Sequence, residues 1–358
     1  MSNGKKEILL VPQKPLLGGR LFGTKGIRAK ETNRPWMELR EVMRKKGFEL
    51  KTIDESSDIS KAHAVAFIET PLPNNPFYKH CLTHNMQDRL YLITFEPSVI
   101  HPPNHDARSH KNFKRVMTWD ENLIDANREK YVKANFTLPI LEGEKVIVPR
   151  SKFSEKKLLC LISSNKYSHR KNELYSERVR AIRFMEKEHP KDFDLYGVGW
   201  DQPVLAWPIA SILPLNAAIQ KFYPSLKFLP RMRSYPSYRG TVGDKKGTLP
   251  NYKFTIAYEN ELDARGYITE KILEAMLGGC VPVYLGDPNI ARMVPKECFV
   301  DKKEYPTYPE LYDYLASVGE AEHTAYINSM EAFLNGEKVR PFTITAFIES
   351  FMLMLEIN

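Results

Sequence analysis

The sequence predicts an α/β protein of two domains, each a parallel sheet layered with helices, facing each other across a cleft. Three observations predict it. Strand-like apolar runs alternate with helix-like segments along the chain, the pattern of crossover connections around parallel sheets. The 358 residues exceed the usual size of one domain and suit two of roughly 150–180 residues each. Towards the C-terminus, YKFTIAYEN, YITEKILEAMLGG and CVPVYLG read as strand, helix and strand, a βαβ unit expected to be right-handed.

The elements follow in order. EILLVP opens as a first strand. RPWMELREVMRKKG follows as a helix, because Trp36, Leu39 and Met43 fall at helical spacing and Gly47 supplies a stop. FELKTI and AHAVAFIE are the next strands, and RLYLITFEP is a buried strand halted at Pro97. SVIHPPNHDARSHKNF then reads as an irregular loop at a strand's carboxyl end, where open α/β sheets bind ligands. FKRVMTW returns as a strand. Charge and proline interrupt the pattern in EGEKVIVPRSKFSEK, residues 142–156, which sets the expected domains at 1–150 and 151–358. The second opens on the strand KLLCLISS, the helix ELYSERVRAIRFMEKEH and the strand FDLYGVGW. No order is legible in the Pro-rich, aromatic stretch 201–250, and the tail PFTITAFIESFMLMLEIN reads as a closing helix.

Composition bounds the function. A hydrophobic content of 42%, with 18 Tyr and 18 Phe, supplies two substantial cores. Cys81, Cys160, Cys280 and Cys298 form no CxxC pair, so neither a zinc site nor a disulfide framework is expected. The net charge of +8, from 52 basic and 44 acidic residues, favours anionic partners. Its dispersal through KNFKR, SEKK, SHRK and ERVRAIR, without a recognisable binding module, argues against nucleic acid. No apolar run reaches the roughly 20 residues that cross a bilayer, and MSNGKKEILLVPQKP lacks a signal-peptide core. A cytoplasmic protein is expected. The apolar FIESFMLML in the tail suggests peripheral contact with an anionic membrane surface, or simple packing on the domain.

The richest stretch is YENELDARGYITEKILEAMLGGCVPVYLG, Tyr258 to Gly286. Ile268, Ile272, Ala275 and Met276 share one helical face, and Gly278–Gly279 end the helix with a left-handed cap. The helix therefore starts near Tyr267–Thr269, where free amides and the dipole favour a phosphate and Lys271 adds a full positive charge. Glu270 would repel a phosphate, so its natural partner is the paired hydroxyls of a ribose beside a diphosphate. The plainer reading is a first-turn Glu and Lys left in solvent.

This stretch closely resembles the donor motif of the family 10 glycosyltransferases, the α-1,3/4-fucosyltransferases, which runs F/Y-x-N, a variable loop, Y-[IV]-T-E-K, a helix and V-P-[VI]-x-x-G. Weaker resemblance extends over residues 88–300. The resemblance implies a GT-B architecture, two Rossmann-like domains with the site between them, and GDP-β-L-fucose as donor. It places Asn260, Tyr267, Glu270 and Lys271 on donor-binding positions, and leaves Glu261 to Gly266 unassigned. SSNKYSHRKNELYSERVRAIRFMEKEHPKDFDLYG is similar to the region whose arginine neutralises the diphosphate; Arg178 fits that role, with Arg170 the alternative. Glu96, in YLITFEPSVIHPPNH, matches the catalytic base, and a rigid apolar strand ahead of it would half-bury the carboxyl and raise its pKa. His101 and His105 stand nearby as sugar ligands or substitute bases. DFD at 192–194 has a metal-binding form but sits at a helix-to-strand connection, so no obligatory metal is expected.

The resemblance thus implies an inverting transfer of fucose to a hydroxyl of an oligosaccharide or glycolipid, such as a GlcNAc-type sugar of lipopolysaccharide. Two alternatives stand beside it: another GDP-hexose donor, or a glycan- or nucleotide-binding protein without catalysis.

Overall fold

Every strand pair in the computed structural model, which describes residues 6–24, 29–201 and 235–357, is parallel. Most of the stretch 201–250, in which no order was legible, lies outside those residues. The first sheet has six strands: β1 (Lys6–Val11), β2 (Phe48–Thr52), β3 (Ala64–Ile68), β4 (Leu90–Thr94), β5 (Arg115–Thr118) and β6 (Tyr131–Lys133), in the order β2-β1-β3-β4-β5-β6. The second has five: β7 (Lys157–Ile162), β8 (Phe193–Tyr196), β9 (Tyr252–Tyr258), β10 (Val281–Leu285) and β11 (Val300–Asp301), in the order β11-β10-β9-β7-β8.

Strands covered on both faces need continuous apolar runs, and these have them. Ile8, Leu9 and Leu10 of β1 and Leu90, Leu92 and Ile93 of β4 are wholly buried. The short strands β6 and β11, three and two residues long, carry too little pattern to be read from sequence.

Helix Arg34–Lys45 covers the first sheet as its spacing predicts, with Leu39 and Met43 wholly buried. Helix Glu270–Leu277 lies on the second sheet through Ile272, Leu273, Ala275 and Met276. Gly279 closes that helix at φ +64, and a β-carbon there would sit 2.2 Å from the carbonyl oxygen of Pro149, so both conformation and space demand glycine.

The tail departs from expectation. Its helix, Ile344–Met354, packs on the first sheet, not the second. Ile344, Phe347, Phe351 and Met354 join Ile8, Leu10, Ile93 and Met117 in one core, and Trp36 meets Phe347 edge-on at 5.0 Å. The first sheet leaves an apolar face that the chain's last helix fills. The apolar residues expected to touch a membrane are mostly consumed in this packing, although Leu353 remains 58% exposed. No helix among the described residues is long and apolar enough to cross a membrane.

Candidate active site

Three strands of the second sheet end on one open cavity of about 270 Å³. Ser163 and Lys166 follow β7, Gly197 follows β8 and Asn260 follows β9, while Glu270 and Lys271 come from the first turn of the next helix. Among the described residues its wall carries four cations, Lys166, Arg178, Lys245 and Lys271, against the single carboxylate of Glu270. Such an imbalance on a concave surface is a site for a polyanion.

Arg178 is the most constrained of the four. It lies on helix Tyr175–Glu188 and is 3% exposed. One guanidinium nitrogen donates to the carbonyls of Tyr258 (2.7 Å) and Glu259 (2.6 Å) and to the Asn260 side chain (3.0 Å). It makes no carboxylate ion pair among the described residues. Burial lowers its pKa despite the neighbouring Tyr175 and Glu259. A buried cation with no direct ion pair is costly, and an anion entering the cavity would supply one. Arg170 is exposed and absent from the cavity wall.

Lys271 is held at 3.2 Å from Glu259, 2.9 Å from the Thr269 hydroxyl and 3.5 Å from Glu270. Burial pulls its pKa down, but Glu270 and Glu259 outweigh that and raise it. Burial pushes Glu270 up, and Lys271 and Lys245 more than compensate, so its carboxylate stays ionised.

Glu259, the middle residue of YEN, went unread in the sequence. It is fully buried, accepts from the Thr269 amide (2.8 Å) and hydroxyl (2.6 Å), and so fixes the helix cap. Thr269 in turn caps the Lys271 amide at 3.4 Å. This corrects one expectation: amides expected to be free at the helix tip are partly taken up internally, and side-chain cations carry the positive potential.

Tyr267 is also placed differently from its expected donor-binding position. It is 1% exposed and does not line the cavity. Its ring meets Trp119 (4.7 Å) and Phe136 (5.7 Å) of the first domain, and its hydroxyl accepts from Asn260 at 3.2 Å. It wedges the domains together and orients Asn260.

Glu96, at the end of β4 in the first sheet, lies close enough to three residues of this cavity, Lys166, Lys271 and Glu270, that they act on its ionisation. Burial raises its pKa, and the two lysines only partly offset that. Its carboxylate makes no hydrogen bond among the described residues, yet the backbone beneath is pinned on every side. Glu69 accepts from the Phe95 and Glu96 amides, Trp119 donates to the Phe95 carbonyl (2.8 Å), and Asn104 and His105 approach the Glu96 carbonyl (3.0 and 3.1 Å). The Glu96 carboxylate is thus half-buried and without a hydrogen-bond partner among the described residues, on a backbone held from several sides.

His101 and His105 serve as supports. His101 bonds the Thr70 carbonyl at 2.7 Å, and His105 lies between Asp120 (2.7 Å) and the Glu96 carbonyl. The DFD carboxylates are likewise committed, Asp192 to Tyr312 and Asp194 to Lys157, Arg239 and Tyr252.

Lys166, Lys245 and Ser163 were not singled out from sequence. Ser163 Oγ is buried on the cavity wall with no hydrogen-bond partner among the described residues, an acceptor and donor awaiting a ligand. The only signal was position: a polar SSNK run directly after an apolar strand.

Residues 216–331 match the family model described as glycosyltransferase family 10 (fucosyltransferase), C-terminal. Similar proteins include the alpha-(1,3)-fucosyltransferase FucT of Helicobacter pylori, 31% identical over 157 residues covering 42% of this chain and 32% of that one. Another is 4-galactosyl-N-acetylglucosaminide 3-alpha-L-fucosyltransferase 9 of Homo sapiens, 30% identical over 122 residues and 33% of each chain. The match thus spans about a third of the length of these relatives. A crystal structure of alpha1,3-fucosyltransferase superimposes with a TM-score of 0.57 at 13% identity, covering 100% of this chain and 93% of that one. The complex with GDP-fucose gives a TM-score of 0.52 at 15% identity, with the same coverage. At these identities the superposition shows the fold, GT-B, and nothing finer.

Proposed function

We propose that this chain, which carries the C-terminal domain of glycosyltransferase family 10 on a GT-B fold, transfers L-fucose from GDP-β-L-fucose to a hydroxyl of an oligosaccharide or glycolipid, with inversion. One observation carries the reading: a buried Arg178 without an ion pair among the described residues lines a cation-rich cavity, and two lysines of that cavity, Lys166 and Lys271, act on a Glu96 carboxylate that has no hydrogen-bond partner among those residues.

In this reading the diphosphate lies against Arg178 and Lys271, with Lys166 and Lys245 completing the positive wall. Glu270 accepts from the ribose hydroxyls. The acceptor hydroxyl gives its proton to Glu96 and attacks the anomeric carbon from the face opposite GDP. A new carbon–oxygen bond forms as the bond to the β-phosphate oxygen breaks, and its electron pair leaves with GDP. Charge on the departing phosphate grows as the sugar becomes oxocarbenium-like, so the preorganised cations act most strongly in the transition state. The β-linked donor yields an α-linked product. No metal is given a role, since the side chains supply the counter-charge.

The names of the similar proteins support fucose as the sugar transferred and, through the human one, an N-acetylglucosaminide as acceptor. Incubation with a panel of GDP-hexoses and oligosaccharide acceptors, read by mass, tests the proposal. A mass gain of one deoxyhexose with GDP-fucose is the expected result. Gain from another GDP-hexose would change the donor, and no gain from any would remove the catalytic reading.

A further inference from the structure

Glu69 stands one residue beyond β3 with φ +69, a left-handed backbone uncommon for a long side chain. That conformation turns its carboxylate back onto the end of the neighbouring strand β4. There it accepts from two successive amides, Phe95 (3.2 Å) and Glu96 (3.3 Å), and from the side-chain amide of Asn104. Asn104 is wholly buried and ties three segments together, accepting from the Thr70 amide at 3.0 Å and donating to the Glu96 carbonyl.

We propose that Glu69 is a positioning residue for Glu96: its carboxylate fixes the backbone from which Glu96 projects and places a second acid beside it. This rests on the reading of Glu96 as the base. Two acids so close titrate as a pair, each disfavouring the other's charge. Burial brings Glu69 up to about 7, with the Asn104 bond opposing it and the neighbouring Glu96 adding a smaller push upward. The groups facing the pair are Lys166 from the loop after β7, Lys271 and Glu270 from the helix Glu270–Leu277, and His101 from the loop after β4. Burial and Glu270 keep the Glu96 pKa up against Lys166, Lys271 and His101, and Glu69 holds the backbone that keeps Glu96 in that buried position.

The test compares wild type with Glu69→Gln, an isostere that keeps an acceptor for the amides and removes the charge. Carboxyl carbon-13 NMR, with Glu96 assigned through Glu96→Gln, reads the ionisation directly, whether or not the chain turns over a sugar nucleotide. The Glu96 midpoint is expected to fall, and an unchanged midpoint overturns the proposal. In transfer assays the acid limb of kcat/KM is expected to move to lower pH and kcat to drop at least tenfold, with GDP affinity within twofold. An unmoved limb and unchanged kcat overturn it equally. A shifted midpoint without transfer by the wild type keeps the Glu69–Glu96 coupling and removes the transferase reading instead. Should Glu69→Gln fail to fold, Glu69→Asp, which keeps the charge but is too short to reach both amides, is expected to lower kcat while holding GDP affinity; wild-type kcat would overturn the proposal.

Discussion

The carboxylate of Glu261, in the second domain, accepts from the hydroxyl of Ser98 at 2.5 Å and the amide of Val99 at 3.3 Å in the first. Ser98 lies two residues beyond Glu96, and Glu261 directly follows Asn260. One contact therefore joins the loop bearing the proposed base to the loop bearing the proposed donor site. Arg265, at the other end of the same loop, bonds Asn122 (3.0 Å) and Asp125 (2.9 Å) across the cleft. Gly266, at φ +88, completes the clasp where a β-carbon would sit 2.4 Å from the Trp119 carbonyl.

Loosening this clasp should separate binding from turnover. Glu261→Ala leaves Arg178 and Lys271 in place, so GDP affinity by calorimetry is expected within about threefold of wild type. Turnover should fall at least tenfold, because Glu96 is no longer held at a fixed distance from the sugar. A loss of affinity as large as the loss of turnover would place Glu261 in donor binding.

Arg178→Lys tests the buried cation. Lysine keeps the charge but offers no planar fork able to hold the strand-end carbonyls and an anion together. GDP binding is expected to weaken by tenfold or more, while thermal unfolding shifts only slightly. Unchanged affinity would mean that the cavity does not take the diphosphate at Arg178.

A pH effect on stability follows from His105. Both ring nitrogens face acceptors, the Asp120 carboxylate and the Glu96 carbonyl, so both bonds form only on the protonated ring. Burial pulls its pKa down, but the hydrogen bond to Asp120 and that carboxylate's charge raise it above the ordinary value. A raised folded pKa gives stability that is complete below about pH 6.5, the unfolded value, and is lost as pH climbs through the folded one. The Tm difference between wild type and His105→Gln should therefore be largest in acid and shrink above neutrality. A difference independent of pH would show that the ring is neutral.

Much of this was legible because the signals were local. The apolar runs of β1, β4, β7 and β9 could sit nowhere but inside a sheet, and the glycine pair at 278–279 ends its helix where the spacing predicted. Arg178, Asn260, Glu270 and Lys271 line one cavity. What escaped was whatever depends on pairs distant in sequence. Glu69 acquires its role from Asn104, 35 residues away. Tyr267 looked like a ligand contact in its motif, but its burial comes from Trp119 and Phe136 of the other domain. The destination of the tail depended on an apolar face left by strands more than 200 residues earlier.

That return of the chain sets the last prediction. Phe351 is wholly buried in the first-domain core, and a Phe→Ala change at such a site costs about 3–5 kcal/mol through lost transfer energy and the cavity left behind. Phe351→Ala should therefore unfold at markedly lower denaturant, and the early loss should be confined to the first domain. The donor cavity belongs to the second sheet, so bound GDP would protect that sheet and leave the first-domain transition unmoved. Hydrogen exchange separates the two, with β1 and β4 amides exchanging faster and β7 and β9 amides unchanged. If β7 and β9 opened together with β1 and β4, the domains would unfold as one unit, and the tail would be the strap that makes them so.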